Sequence, residues 1–176
     1  MSSVKTVSIN DVLSIMGRGL EIRSYEMVDQ SDMRKIKKIA RLFNIKPASW
    51  ESLSEAVALP LNTFISKNAD TTIYSYKIQD PTRWNTGYEV VVYKVGDKYI
   101  VYYQMYSPAF FGEKYIVVRS PRTALKKAIG FLEDIIDEIA SVYNEWVSED
   151  LYRGADYAIA EIKDEIKYLK EKMKQL

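Results

Sequence analysis

The sequence predicts an α+β fold, in which a four-stranded antiparallel sheet follows N-terminal helices and precedes a long helix packed on the sheet and a C-terminal helix with a heptad pattern. Two-residue alternation of Val, Ile and Tyr marks the middle third of the chain as strands. Apolar residues at steps of three and four mark the first and last thirds as helices. The strands are consecutive and joined by short turns, which indicates antiparallel pairing.

Helices fill the predicted N-terminal region. Asn10 is placed to cap a short first helix, after which residues 20–22 alternate in a way that permits a short strand. A second helix over 31–43 ends at Asn44, a residue type that tolerates the left-handed conformation found after helices. A third helix over 47–60 begins at one proline and is predicted to end at another.

The second and third helices match the spacing of a helix-turn-helix, with small and apolar residues around a turn former. The second helix of such a motif would expose Glu51 and Glu55, however, and these carboxylates would repel phosphate. A plain helical hairpin with a basic first helix is therefore the favoured interpretation. The motif positions are Ile39, Ala40, Phe43, Asn44, Ile45, Trp50 and Leu53, and the basic residues are Arg34, Lys35, Lys37, Lys38 and Arg41.

The predicted sheet contains a hairpin whose register assigns its two faces. Gly96 and Asp97 form a two-residue turn with glycine first, as in type II′ turns. One face is mainly aliphatic and is the predicted core face, whereas the other mixes Tyr93 and Tyr102 with charged groups and is predicted to be partly covered or to meet a partner. Tyrosine also fills half-buried sheet positions, so a structural role for each ring stays open. The predicted strands are 71–79, 88–95, 98–106 and 113–120.

Two loops extend that tyrosine-bearing face. Arg83 and Trp84 lie side by side in a polar loop, a pairing that is common at binding hot spots. Phe110 and Phe111 occupy the loop before the last strand. Either pair can instead pack beneath its loop, and this is the favoured interpretation for the two phenylalanines.

A long helix is predicted over 121–147, capped by Ser120, with Pro121 at its first position and an apolar seam facing the sheet. The C-terminal helix, 150–176, has a seam of its own and needs a partner. That partner is either the preceding helix, with the chain folded back at Gly154, or the same helix of a second chain. The seam continues to the last residue, which favours a homodimer. The predicted dimerisation residues are Ile159, Ile162, Ile166, Leu169 and Met173, and the predicted single domain, 1–147, is helical over 1–66, a sheet over 71–120 and helical over 121–147.

Cysteine and histidine are both absent from the 176 residues, which excludes disulfides, Cys or His zinc sites, cysteine nucleophiles and imidazole bases. The acidic cluster 133–138 is typical of a solvated helix surface. The adjacent pairs Asp97–Lys98 and Glu113–Lys114 point to opposite faces of their strands, so they do not converge as a metal-dependent nuclease requires. We therefore expect no catalytic residue, no metal and no cofactor. The lack of a long apolar run or a signal peptide predicts an intracellular protein away from membranes.

Charge is distributed unevenly along the chain. Residues 1–130 carry 19 Lys and Arg against 12 Asp and Glu, which is +7, and residues 131–176 carry 6 against 12, which is −6. A basic body with ring-bearing positions predicts a non-enzymatic nucleic-acid-binding protein, with single-stranded DNA or RNA favoured over duplex. The alternative is a protein-interaction module that uses the tyrosine face and the C-terminal helix. The predicted nucleic-acid-binding residues are Arg34, Lys35, Lys37, Lys38, Arg41, Arg83, Trp84, Tyr93, Tyr102, Arg119, Arg122, Lys126 and Lys127.

The order of predicted elements over most of the chain, with helices, a four-stranded antiparallel sheet, a long helix and a terminal helix, resembles the ThermoDBP-type single-stranded DNA-binding proteins of hyperthermophilic archaea. The resemblance implies strand binding in a cleft lined by aromatic and basic side chains, without a cofactor. A composition rich in Ile, Lys, Glu and Tyr, with no Cys, is similar to that of proteins from such archaea and their viruses.

Overall fold

The computed structural model describes residues 6–24, 28–47, 53–144 and 148–176. These residues form one antiparallel sheet of five strands and two layers of helices, which confirms the α+β class. The helices are α1 (Ile9–Met16), α2 (Gln30–Leu42), α3 (Leu53–Asn68), α4 (Pro121–Ala140) and α5 (Glu149–Lys174), with a 3₁₀ helix at Ser141–Asn144. The strands are β1 (Gly19–Arg23), β2 (Thr71–Gln79), β3 (Gly87–Val95), β4 (Lys98–Tyr106) and β5 (Phe111–Val118).

The prediction of four strands is wrong because β1 joins the sheet, in the order β1-β5-β4-β3-β2. Leu20 pairs with Tyr115 and Ile22 with Glu113, so the short alternation after α1 adds a strand to the edge of β5. Both apolar side chains are buried, and this burial fixes the register of β1. The hairpin between β3 and β4 turns at Gly96, whose φ is 59°, as its glycine-first sequence predicts.

Both faces of the sheet are covered by helices. The predicted core face packs against α4 and α5, and Val90, Val92 and Val101 are fully buried there. The opposite face packs against α1, α2 and α3. A strand buried on both faces is apolar at nearly every position, which explains the continuous valines of β3.

Tyr93 and Tyr102 lie in the core beneath α1–α3, with 5% and 2% of their surface exposed. The expectation that they face a partner is therefore wrong, and they offer no ring to a base. The Tyr102 ring packs on Tyr115 with centroids 4.9 Å apart, and its hydroxyl donates to Glu113 at 2.9 Å. Internal hydrogen bonding lets these polar rings fill the core where the sequence suggests a surface.

Two of the predicted helix ends are observed, but Asn10 lies inside α1, whose N-cap is Ser8, and α4 ends at Ala140 rather than at residue 147. Asn44 adopts a left-handed φ of 57° after α2, and Ser120 caps α4, which starts at Pro121. Pro60, however, lies inside α3 rather than at its end. Val57, Leu61 and Ile65 are fully buried at four-residue spacing, so the helix keeps one buried side both before and after the proline. This packing outweighs the missing backbone donor. Pro47, the predicted first residue of the third helix, is not helical, and residues 48–52 and Trp146 lie outside the described residues.

The chain folds back before α5, so the fold-back alternative is the one observed. Ile162 and Leu169 are fully buried in the core with α4 and the sheet. Lys172 Nζ donates to the Ile73 carbonyl of β2 at 3.2 Å, which fixes the last turns of α5 along that strand. The seam predicted to dimerise is therefore occupied within one chain, and Gly154 lies inside α5, not at the turn. Of the other predicted dimerisation residues, Ile166 is buried, and Ile159 and Met173 pack partly buried against the same core.

No helix among the described residues has the length and hydropathy needed to cross a membrane.

Candidate nucleic-acid interface

The α4 side of the sheet is open along its β1 edge, because α4 lies mainly over β3 and β4. On this side β5 presents Gly112, Lys114, Ile116 and Val118, whose neighbours Glu113 and Tyr115 are buried on the other face. Lys114 is exposed on this side, whereas Ile116 and Val118 are partly buried. We call this side of β1 and β5, together with the two grooves at its ends, the β5 ledge.

A groove of about 730 Å³ lies at one end of the β5 ledge, where α1 ends and β5 extends past β1. It is lined by Arg18, Lys98 and Arg119 together with residues of α1 and of the end of β5, and its lining contains no carboxylate. The other lining residues are Leu13, Ser14, Gly17, Ile116, Val117 and Val118. The Arg18 carbonyl accepts from the Val117 amide at 2.9 Å, which fixes the Arg18 backbone beside β5. Three cations around one cavity form a site that attracts anions. We call this cavity the basic groove.

A second groove, of about 380 Å³, lies at the other end of the β5 ledge. The Tyr103 ring stacks on Phe131 of α4 with a centroid distance of 4.9 Å and an interplanar angle of 10°. Phe110, in the loop between β4 and β5, is 41% exposed and lines the same cavity. This aromatic groove presents apolar ring surface to solvent, which suits stacking with a base.

Opposite charges are balanced in the aromatic groove. Arg23 Nε donates to Glu21 at 2.6 Å, so this cation has a partner on its own strand. Burial, followed by the charge of Asp137, raises the pKa of Asp134, while Lys114 partly offsets the rise. Net positive charge on the β5 ledge is therefore concentrated at the basic groove.

The two grooves lie at the two ends of one strand, the aromatic groove on its α4 side and the basic groove at the end beside α1. Gly112 lines the aromatic groove and Val118 the basic groove. Six residues of strand separate them, which is about 20 Å at 3.3 Å per residue. A stacked single strand covers that length with about six nucleotides at 3.4 Å each. A stacked oligomer of this length can therefore contact rings at one end and cations at the other.

The structure gives the predicted basic residues different surroundings. Arg119 lines the basic groove, and Lys126 and Lys127 are exposed on the first turns of α4. Arg122 donates to the Met173 carbonyl at 3.3 Å and so helps to cap α5. Lys35 donates to the carbonyls of Met16 and Gly19, both at 2.9 Å, so it holds the turn between α1 and β1.

The remaining predicted residues lie elsewhere. Arg34, Lys38 and Arg41 are exposed along α2, and Lys37 is half-buried on the same helix. Arg83 donates to Glu138 and to Ser141, each at 3.0 Å, which ties its loop to the end of α4. Trp84 is 83% exposed at the same end of the sheet as Phe110, opposite the basic groove. The predicted cations and rings therefore do not form one continuous surface.

Sequence reasoning missed Arg18, Lys98 and Lys114 as candidate ligands for phosphate. Arg18 lies in the segment whose strand was only permitted by the pattern, and Lys98 lies beside a hairpin turn. Phe110 was expected in a minor core, yet it is partly exposed. Two-residue alternation puts Lys114 on the face opposite Glu113, but only the pairing of β1 with β5 shows that this face stays open.

Among the described residues there is no group of three or more acidic side chains placed to hold a metal ion. Comparison with protein-family models, with curated proteins and with solved structures returns no match to this chain.

Proposed function

We propose that the protein binds single-stranded nucleic acid along the β5 ledge, with phosphates in the basic groove and at Lys114 and a base on the rings of the aromatic groove. The observation that carries the proposal is that the two grooves lie at opposite ends of β5, about 20 Å apart. No cofactor or catalytic group is part of it. This moves the predicted stacking site from Tyr93 and Tyr102, which are buried, to Phe110 and Tyr103.

Partial exposure of the rings favours a single strand over a duplex. A base must expose its face to stack on Phe110, and bases in a duplex are already stacked on one another. Stacking contributes roughly 1–3 kcal/mol per base. Phosphate contacts supply the rest of the affinity and make it depend on salt.

The number of cations on the β5 ledge predicts how steeply the affinity falls with salt. The β5 ledge carries four cations besides Arg23, which pairs with Glu21. If each neutralises one phosphate, the slope of log affinity against log salt is about −2.8, at roughly 0.7 per single-strand phosphate. The four cations are Arg18, Lys98, Lys114 and Arg119.

The test is fluorescence anisotropy with labelled single-stranded DNA, RNA and duplex DNA at several salt concentrations. The double variant Arg18→Gln, Arg119→Gln should reduce the slope by about 1.4 for single strands. Phe110→Ala should weaken binding by about tenfold without changing the slope. The matched control, Lys163→Gln with Lys167→Gln, removes the same charge from exposed positions of α5 and should change neither. The proposal would be overturned if the control variant lost as much affinity and slope as the double variant. It would also be overturned if the protein bound no oligomer at low salt.

A protein-interaction module is the second candidate, and Trp84 favours it. The Trp84 side chain is 83% exposed, although its loop is held by Arg83 and by a 2.7 Å bond from Tyr88 to Asp80. A large ring presented on a fixed loop is typical of an interface anchor. An apolar protein interface responds little to salt, so the anisotropy series at different salt concentrations separates the two functions.

A further inference from the structure

A third groove lies on the opposite face of the sheet, between α3 and the strands β4 and β5. Its volume is about 440 Å³, within the range of small-molecule sites. Leu59 and Phe111 supply apolar walls, and Leu59 is 73% exposed at the opening. The lining includes the carboxylates Glu55 and Glu113 but no lysine or arginine. We call this cavity the carboxyl groove.

Glu113 is the buried polar group of the carboxyl groove, with only 5% of its surface exposed. Its Oε1 accepts from the Tyr102 hydroxyl at 2.9 Å and from Gln104 Nε2 at 3.3 Å. Tyr102 and Gln104 line the same cavity, so the Glu113 side chain lies on this face of β5. Its Oε2 is buried and has no hydrogen-bond donor among the described residues. A buried acceptor without a donor costs roughly 1–3 kcal/mol, so the site lacks one N–H or O–H group.

The groups around Glu113 add negative charge, not positive. Glu89 of β3 lies opposite Gln104, which in turn lies opposite Glu113. On α3, Glu55 lines the opening, and Asn62 Nδ2 donates to the Tyr115 hydroxyl at 3.4 Å. Burial raises the pKa of Glu113 to about 7; the Tyr102 hydrogen bond acts against this rise and the charge of Glu89 adds to it. Glu113 is therefore about half ionised at neutral pH.

We propose that the carboxyl groove binds a small organic cation, whose ammonium or guanidinium group donates to Oε2 of Glu113 and whose short apolar body packs against Leu59 and Phe111. Such a ligand supplies both the missing donor and the missing positive charge, and charge-assisted hydrogen bonds of this kind are stronger than neutral ones. The Glu113 and Lys114 side chains point to opposite faces of β5, although Glu113 also lines the aromatic groove.

The ligand class is tested by titrating the full chain with n-butylamine, n-butylguanidinium and the neutral n-butanol, followed by NMR shifts of the Leu59 methyl groups. The NMR shifts should reach saturation with both cations but not with butanol. An acetylated, amidated Gly-Lys-Gly tripeptide is titrated in parallel, since a lysine side chain offers the same ammonium group. Tighter binding of the tripeptide identifies a protein segment as the source, and tighter binding of butylamine identifies a free amine.

The role of Glu113 is tested by pH and by substitution. The ionised fraction of a group with a pKa of about 7 rises from about one-eleventh at pH 6 to ten-elevenths at pH 8, so cation affinity should rise about tenfold. Glu113→Gln should abolish saturation and its pH dependence, whereas the double variant Arg18→Gln, Arg119→Gln, which weakens nucleic-acid binding, should leave cation binding unchanged. Glu55→Gln, at an exposed position, should weaken binding only a few-fold. The proposal would be overturned if butanol bound as tightly as the cations or if the Glu113→Gln variant bound the cations as tightly as the wild-type protein. It would also be overturned if the NMR shifts reached saturation with neither cation.

Discussion

Replacing Glu113 by Gln should stabilise the ligand-free protein at alkaline pH and have little effect at acidic pH. Glutamine has the shape of protonated glutamate and can keep the hydrogen bond with Tyr102. It cannot ionise, so it removes the cost of a buried negative charge. The stability of the wild-type protein therefore falls as pH rises above the ordinary pKa of a glutamate carboxyl, whereas that of the variant does not.

The size of the effect follows from the pKa of Glu113, which burial raises from its ordinary value of 4.5 to about 7. Between these two values the folded protein holds a proton that the unfolded chain has released, so stability falls as pH rises. The difference of about 2.5 pH units, at 1.36 kcal/mol each, is about 3 kcal/mol. This cost is fully present above pH 7 and disappears below pH 4.5.

Urea denaturation of the wild-type protein and the Glu113→Gln variant at pH 5 and pH 8 measures this cost. We expect a stability difference of about 1 kcal/mol at pH 5 and about 3 kcal/mol at pH 8. The difference at pH 8 is equivalent to roughly 6–12 °C in melting temperature for a chain of this size. Groups that titrate equally in both proteins cancel in the difference. A difference that is the same at both pH values would refute the assignment of a raised pKa to Glu113.

Three further changes test the packing. Pro60→Ala should raise the free energy of unfolding by about 2 kcal/mol. Alanine restores a helical donor, which is worth about 3 kcal/mol, but it also stabilises the unfolded chain by up to about 1 kcal/mol through added conformational entropy. If the free energy of unfolding from urea denaturation did not rise, α3 would be interrupted at residue 60. Tyr88→Phe leaves buried Asp80 without its 2.7 Å donor and should lower stability by about 1–3 kcal/mol, and an unchanged midpoint would contradict this contact. Deleting 149–176 should abolish the cooperative near-UV signal, because α5 completes the core around Ile162 and Leu169; a truncated chain that stays folded would show that α5 is dispensable.

The fold class could be predicted because local patterns determine it. Alternation, the glycine-first turn at Gly96 and the cap at Ser120 each depend on neighbours in sequence, and each is observed. The β1 strand was missed as a member of the sheet because its partner, β5, lies about ninety positions later, at Ile22 with Glu113. Five residues of alternation do not reveal such a distant partner.

The candidate site was predicted less well, because exposure depends on which helices cover which face. Tyr93 and Phe110 look alike as aromatic residues in a β region, yet one is buried under α1–α3 and the other is partly exposed. Lysines were likewise counted as phosphate contacts from charge alone, and Lys35 proves to bond two backbone carbonyls. Charge and ring content therefore indicate a class of ligand, while tertiary packing decides which residues can reach it.

The alternation of β5 gives the two proposed sites opposite charge. Glu113 and Lys114 are adjacent, and the sheet separates their side chains as their spacing predicts. The side of Glu113 is enclosed by α3, and desolvation there raises a carboxyl pKa. The side of Lys114 stays open beside β1, and a solvated cation there can exchange counterions for phosphate. One strand can thus present a weakly ionised acid to one ligand and a fixed cation to another.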